Sequence, residues 1–100
     1  MSAQRVAFNV TGDSVEVQGA LNRETVPQAW QTRSNWYGSS GNLQLNLAGL
    51  KSVDSAGLAM LIQLKAELQE QGRDLALQNT NEQLRAFAEV SGVTDLLSLS

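Results

Sequence analysis

The chain has 100 residues, 42% of them hydrophobic and 17% charged, with a net charge of −3 at pH 7 and neither cysteine nor histidine. That length suits one domain, read over residues 1–100, with a core that needs no disulfide or metal staple. The missing residue types exclude disulfides, thiolate or imidazole metal sites, and Ser-His-Asp or Cys-His catalysis, while seven scattered Lys and Arg give no basic footprint for nucleic acid or anionic membrane.

Arg5 to Val10 has strand composition, Thr11-Gly12-Asp13 is a turn signal, and Ser14 to Gln18 alternates again, so a hairpin is expected. Gly19 breaks that pattern. A helix is expected to start between Asn22 and Thr25, because Thr25-Val26-Pro27-Gln28 fits a capping box and Pro is tolerated in a first turn. Its apolar side is short, Val26, Ala29 and Trp30, followed by Arg33. Trp30 reads either as core or as an interface anchor. Trp36 and Tyr37 read as the end of that helix, packing under the loop Gly38-Ser39-Ser40-Gly41.

Asn42 to Leu47 alternates, with Leu43, Leu45 and Leu47 on one face. A helix is then expected from about Ser55 to Gln71, ended by Gly72. Leu75 and Leu77 mark another strand. Asn79 or Asn81 can cap a third helix carrying Leu84, Phe87 and Ala88, closed by Gly92. The apolar tail from Val93 to Leu99 reads as a short helix or strand. The order ββαβαβα implies an α/β fold, a mixed sheet whose parallel strands are joined by crossover helices. The longest apolar run, Leu58 to Ile62, is far too short to span a bilayer, and no signal peptide is visible. The expected location is the cytoplasm.

Enzyme chemistry is disfavoured by absences. No P-loop or dinucleotide fingerprint occurs. Glu67 and Glu70 lie on a helix among Gln and Lys and read as a solvated face. Lys65 is ten positions beyond Ser55, about 15 Å of helical rise, too far to activate the hydroxyl. Neither catalytic residue nor cofactor nor metal is expected.

The run Val53-Asp54-Ser55-Ala56-Gly57-Leu58 sets an acid and a hydroxyl at a helix start, where backbone N–H groups lack intrahelical partners. Asp54 or Ser55 serves as the cap. At 100° per residue, Leu61, Leu64 and Leu68 fall opposite Ser55, with Leu58 and Lys65 at the edge of that core-facing stripe. On the side of Ser55 fall Ala59, Ile62 and Ala66, flanked by Gln63 and Glu70. Small and branched apolar residues below a helix-start hydroxyl point to a surface that another protein covers. Gly57 costs up to about 1 kcal/mol relative to Ala inside a helix, which suggests close backbone approach to the sheet or to a partner. A phosphate on Ser55 would meet free N–H groups at the positive helix end and add negative charge beside Asp54.

The segment Leu43 to Leu61, centred on Asp54-Ser55-Ala56-Gly57-Leu58, resembles the signature of STAS domains, the sulfate-transporter and anti-sigma-factor-antagonist domains. Gly19-Ala20-Leu21-Asn22 resembles the segment that precedes the first helix of that family. The resemblance covers essentially the whole chain. It implies the STAS fold, with helices packed mainly on one side of the sheet. Around Gly19 to Trp30 and Gly57 to Leu61 the chain is more similar to one branch, the small cytoplasmic STAS subunits of phospholipid ABC transporters. That implies a non-catalytic subunit, peripheral to an inner-membrane complex, which binds the transporter's ATPase subunit. Ser55 is then a contact residue, and the binding surface comprises Ser55, Ala59, Ile62, Ala66 and Trp30. The alternative within the family is an anti-sigma-factor antagonist, its partner an anti-sigma-factor kinase that phosphorylates Ser55. The family often has Asp where Asn46 stands and Glu-Leu-Asp where Ala20-Leu21-Asn22 stand, so several acidic positions near that serine are neutral here.

Overall fold

In the computed structural model, which describes residues 5–12, 14–38 and 41–93, strands and helices follow in the order β1 (Val6–Thr11), β2 (Ser14–Leu21), α1 (Val26–Gln31), β3 (Leu43–Val53), α2 (Ser55–Glu70), β4 (Leu75–Gln78) and α3 (Glu82–Ser91). A 3-10 turn, Arg33–Asn35, follows α1. The expected tail element, Val93 to Leu99, lies outside the described residues apart from Val93.

The strands form one sheet in the order β1-β2-β3-β4. The hairpin pair β1–β2 is antiparallel, whereas β2–β3 and β3–β4 are parallel. Both parallel connections step the same way across the sheet. Crossovers of one hand therefore place α1 and α2 on the same face. The burial pattern agrees. Val15, Val17, Leu43, Leu45, Leu47 and Leu75 are buried, whereas Gln18, Ala76 and Gln78 on the opposite face are exposed.

The alternation expected for β3 holds only as far as Leu47. Beyond it the strand continues to Val53, and the buried positions become Leu47, Leu50 and Val53. Register shifts against β2 between Glu16 and Gln18, and between Gly19 and Ala20, account for the change. Each inserts one extra β3 residue, and an extra residue moves the following side chains to the other face. Gly19 therefore marks an irregularity inside β2 rather than its end. Its φ is +102°, and a Cβ there would collide with the Arg5 carbonyl oxygen.

The expected capping box at α1 does not form. Thr25 is the N-cap but makes no side-chain cap bond. Its hydroxyl donates to the Ala20 carbonyl at 2.9 Å and accepts from the Asn22 N–H at 3.0 Å. Asn22 Oδ1 accepts from the N–H groups of Glu24 and Thr25. The hydroxyl thus ties the loop to the end of β2 instead of the helix start. Trp36 follows the 3-10 turn, is buried, and stacks on Phe8 with ring centroids 4.1 Å apart.

The core lies between the sheet and α2. Leu58, Met60, Leu61, Leu64 and Leu68 are all buried there, each such side chain contributing about 1.5–3 kcal/mol by leaving water. Lys65 is also buried and reaches Asp74 at 3.4 Å. Asn81, not Asn79, caps α3 by accepting from Leu84 N–H. Gln83 accepts from Val53 N–H at 2.8 Å, which holds α3 against the end of β3.

Candidate docking face around Ser55

Asp54 is the N-cap of α2 and Ser55 its first residue. Asp54 Oδ1 accepts from Ala56 N–H at 2.9 Å and from Gly57 N–H at 3.1 Å. Asp54 Oδ2 accepts from Arg23 N–H at 3.2 Å, and Asp54 N–H donates to the Leu21 carbonyl. One carboxylate therefore satisfies two orphan donors of the helix and clamps it to the β2–α1 loop. The two segments singled out in the sequence, Gly19 to Asn22 and Val53 to Leu58, meet at this clamp.

Gly57 is buried against the end of β2. A Cβ on it would press into the Leu21 carbonyl oxygen and lie 2.7 Å from Val53 Cγ2. The close approach left open by the sequence is thus to the sheet. The expectation that a phosphate on Ser55 would find free N–H groups needs correction. The Ala56 and Gly57 donors are already taken by Asp54, so a phosphate would have to compete with that carboxylate for them.

Ser55, Ala59 and Ala66 are exposed along the outer side of α2, with Gln63 and Glu70 exposed beside them. Ile62 is half-buried and packs against the core. The ridge is thus carried by Ser55, Ala59 and Ala66, with Ile62 at its inner edge. Trp30 is half-buried on α1. Its ring carries the Arg33 guanidinium 4.0 Å from its centroid. Arg33 also donates to both carboxylate oxygens of Glu67 on α2, at 2.7 and 2.8 Å. Glu67 is accordingly not part of a free solvated face. The hydrogen bond from Arg33 holds its carboxyl below the usual glutamate range, outweighing the desolvation that opposes it. The forked pair fixes the Trp30–Arg33 stack against α2. No local pattern marks this pair, since its members are 34 residues apart.

Among the described residues, no group of three or more Asp or Glu is placed to hold a metal ion. No helix there is long and apolar enough to cross a membrane.

A one-face mixed sheet with an Asp-capped helix presenting a serine defines an α/β domain of the STAS type. The family profile described as "Mlab, STAS domain" matches residues 5–98, and the chain belongs to that family. It is 25% identical over 88 residues to the intermembrane phospholipid transport system binding protein MlaB of Escherichia coli (strain K12), spanning 88% of this chain and 89% of that protein. It is 30% identical over 84 residues to the MlaB protein of Haemophilus influenzae, spanning 80% of each. Among solved structures, the murine Slc26a9 anion transporter in its inward-facing state shares the fold, with TM-score 0.65 and 18% identity. That match covers 87% of this chain and 15% of the transporter chain.

Proposed function

We propose that this chain is a non-catalytic, cytoplasmic subunit of an Mla-type phospholipid ABC transporter. It binds and supports an MlaF-like ATPase subunit at the inner membrane, in maintenance of outer-membrane lipid asymmetry. The relatives' names support the transport system. The ridge of Ser55, Ala59 and Ala66 on a rigidly capped helix is the observation that carries the docking role. Its side chains are short, so a partner helix can approach the α2 backbone closely. Ile62 adds apolar contact, and Trp30 supplies a flat anchor already ordered by Arg33 and Glu67, which lowers the entropy lost on binding. The face does no chemistry; it transmits position to the ATPase.

Co-purification with the ATPase subunit tests this reading. Wild-type chain is expected to co-purify, and Ser55→Arg, which sets a long charged side chain on the ridge, is expected to weaken the association. Unchanged association of a folded Ser55→Arg protein would refute the face. The second reading, an antagonist switched by an anti-sigma-factor kinase, is favoured by the exposure of Ser55 at a helix start. It requires a mass increase of one phosphate on Ser55 when a cognate kinase and nucleotide are supplied. Absence of that increase would remove it.

A further inference from the structure

The loop between β2 and α1 brings a charge to the Ser55 end of the ridge. Arg23 N–H donates to Asp54 Oδ2 at 3.2 Å, which sets the Arg23 backbone beside the residue that precedes Ser55. The loop is fixed on both sides of this bond. Asn22 Oδ1 accepts from the N–H groups of Glu24 and Thr25. The buried Thr25 hydroxyl donates to the Ala20 carbonyl and accepts from Asn22 N–H. Arg23 is thus rooted in an ordered loop, and its side chain is exposed.

The chain has seven Lys and Arg, and the other six are engaged or remote. Arg33 and Lys65 stand in ion pairs with Glu67 and Asp74. Arg73 is buried, its guanidinium donating to the carbonyls of Tyr37, Gly38 and Gly41. Arg85 donates to Thr80 Oγ1 at 3.0 Å. Arg5 and Lys51 line a hollow with Gln18 on the outer face of the sheet, away from α2. Among the described residues, no carboxylate lies within ion-pair distance of Arg23. The ridge itself has short side chains, so a partner that docks on it comes close to the α2 backbone and within reach of this long one. Covering a guanidinium with no counter-charge is costly, whereas facing a carboxylate it gains a charge-assisted bond.

We infer that the surface of the ATPase subunit that docks on the ridge carries an Asp or Glu opposite Arg23, and that this pair fixes the orientation of the docked partner. The inference rests on the docking role proposed above for the Ser55 ridge and adds the β2–α1 loop to that face. The ridge supplies close approach and no charge of its own, so the loop cation is the element that distinguishes one end of the face from the other. A charge at the edge of a contact acts mainly on association rate and salt dependence.

The test measures affinity and association rate of the full chain for the purified ATPase subunit at about 0.1 M and about 1 M NaCl, between which the screening length falls from about 10 Å to about 3 Å. Arg23→Glu sets carboxylate against carboxylate and is expected to weaken binding about tenfold or more at the lower salt. Arg23→Gln, which adds no negative charge beside Asp54, is expected to slow association and to bind with a flatter salt dependence than wild type. Lys51→Glu makes the same change in net charge on the outer sheet face and is expected to bind as wild type does. Wild-type affinity in a folded Arg23→Glu protein, with Ser55→Arg still weakened, would overturn the inference and leave the docking face standing. Equal weakening by Lys51→Glu would also overturn it, by reducing the effect to net charge. Wild-type affinity in both Arg23→Glu and Ser55→Arg would remove the face and the inference with it.

Discussion

Gly57→Ala is the substitution on which helix propensity and packing give opposite answers. Inside a helix Ala is favoured over Gly by about 1 kcal/mol, so propensity alone predicts a more stable protein. The added Cβ, however, would be driven into the Leu21 carbonyl oxygen and sit 2.7 Å from Val53 Cγ2. Neither neighbour yields easily. The Leu21 carbonyl also accepts the Asp54 N–H at 3.2 Å, and Val53 is buried in the core. Relief requires the first turn of α2 to lift from the sheet, straining the Asp54 clamp. Overpacking of this kind costs about 1–3 kcal/mol. Because the contacts are with backbone and a buried side chain, the upper part of that range applies, about 2–3 kcal/mol, and a propensity gain of about 1 kcal/mol leaves an expected net loss of about 1–2 kcal/mol. For a domain of this size that corresponds to a fall in Tm of roughly 5–15 °C. Urea unfolding is the direct assay, read as a lower midpoint at constant slope. An unchanged or raised midpoint would refute the claim that this glycine exists for the approach to β2.

Other outcomes follow from the same contacts. Asp54→Ala removes the acceptor for Ala56 and Gly57 N–H and should cost about 0.5–2 kcal/mol in urea unfolding. Glu67→Gln should cost less than about 1 kcal/mol at pH 7, because the pair with Arg33 is a quarter exposed. Its pH dependence has a definite sign. The Glu67 carboxyl is lowered in the folded state from its ordinary value of 4.5, so its contribution is present above that value and fades as pH falls through the lowered one. Urea midpoints measured from pH 7 downward should therefore converge for wild type and Glu67→Gln. Arg73→Met leaves the carbonyls of Tyr37, Gly38 and Gly41 without their shared donor and should cost about 2 kcal/mol or more in the same assay.

The parts of the fold legible in the sequence were those set by local pattern. Leu43, Leu45 and Leu47 announced a strand with one buried face, and Asp54 followed by an apolar periodicity announced α2. The order of elements and the sheet type followed from them. What stayed hidden depends on neighbours distant in the chain. The spacing of Leu47, Leu50 and Val53 makes sense only once β3 is seen to gain residues against β2. Thr25 carried the sequence of a capping box, yet its hydroxyl binds Ala20, a partner no local rule names. Glu67 looked solvated because its partner Arg33 lies far back in the chain, in the 3-10 turn after α1. Around Ser55, the helical wheel correctly separated the exposed Ala59 and Ala66 from the buried leucines. It could not show that Ile62 leans inward, or that Asp54 had already claimed the N–H groups a phosphate would need.

The central claim is that the outer ridge of α2 docks the transporter's ATPase subunit. Ala59→Arg tests it most directly, because Ala59 is exposed on the outer side of α2 and a longer side chain there can extend into solvent. The measurement is the equilibrium affinity for the purified ATPase subunit, with the urea midpoint of each protein determined in parallel. The account predicts an unchanged midpoint and a loss of about 30-fold or more in affinity, the scale of a central interface residue. Wild-type affinity in the folded Ala59→Arg protein would contradict it.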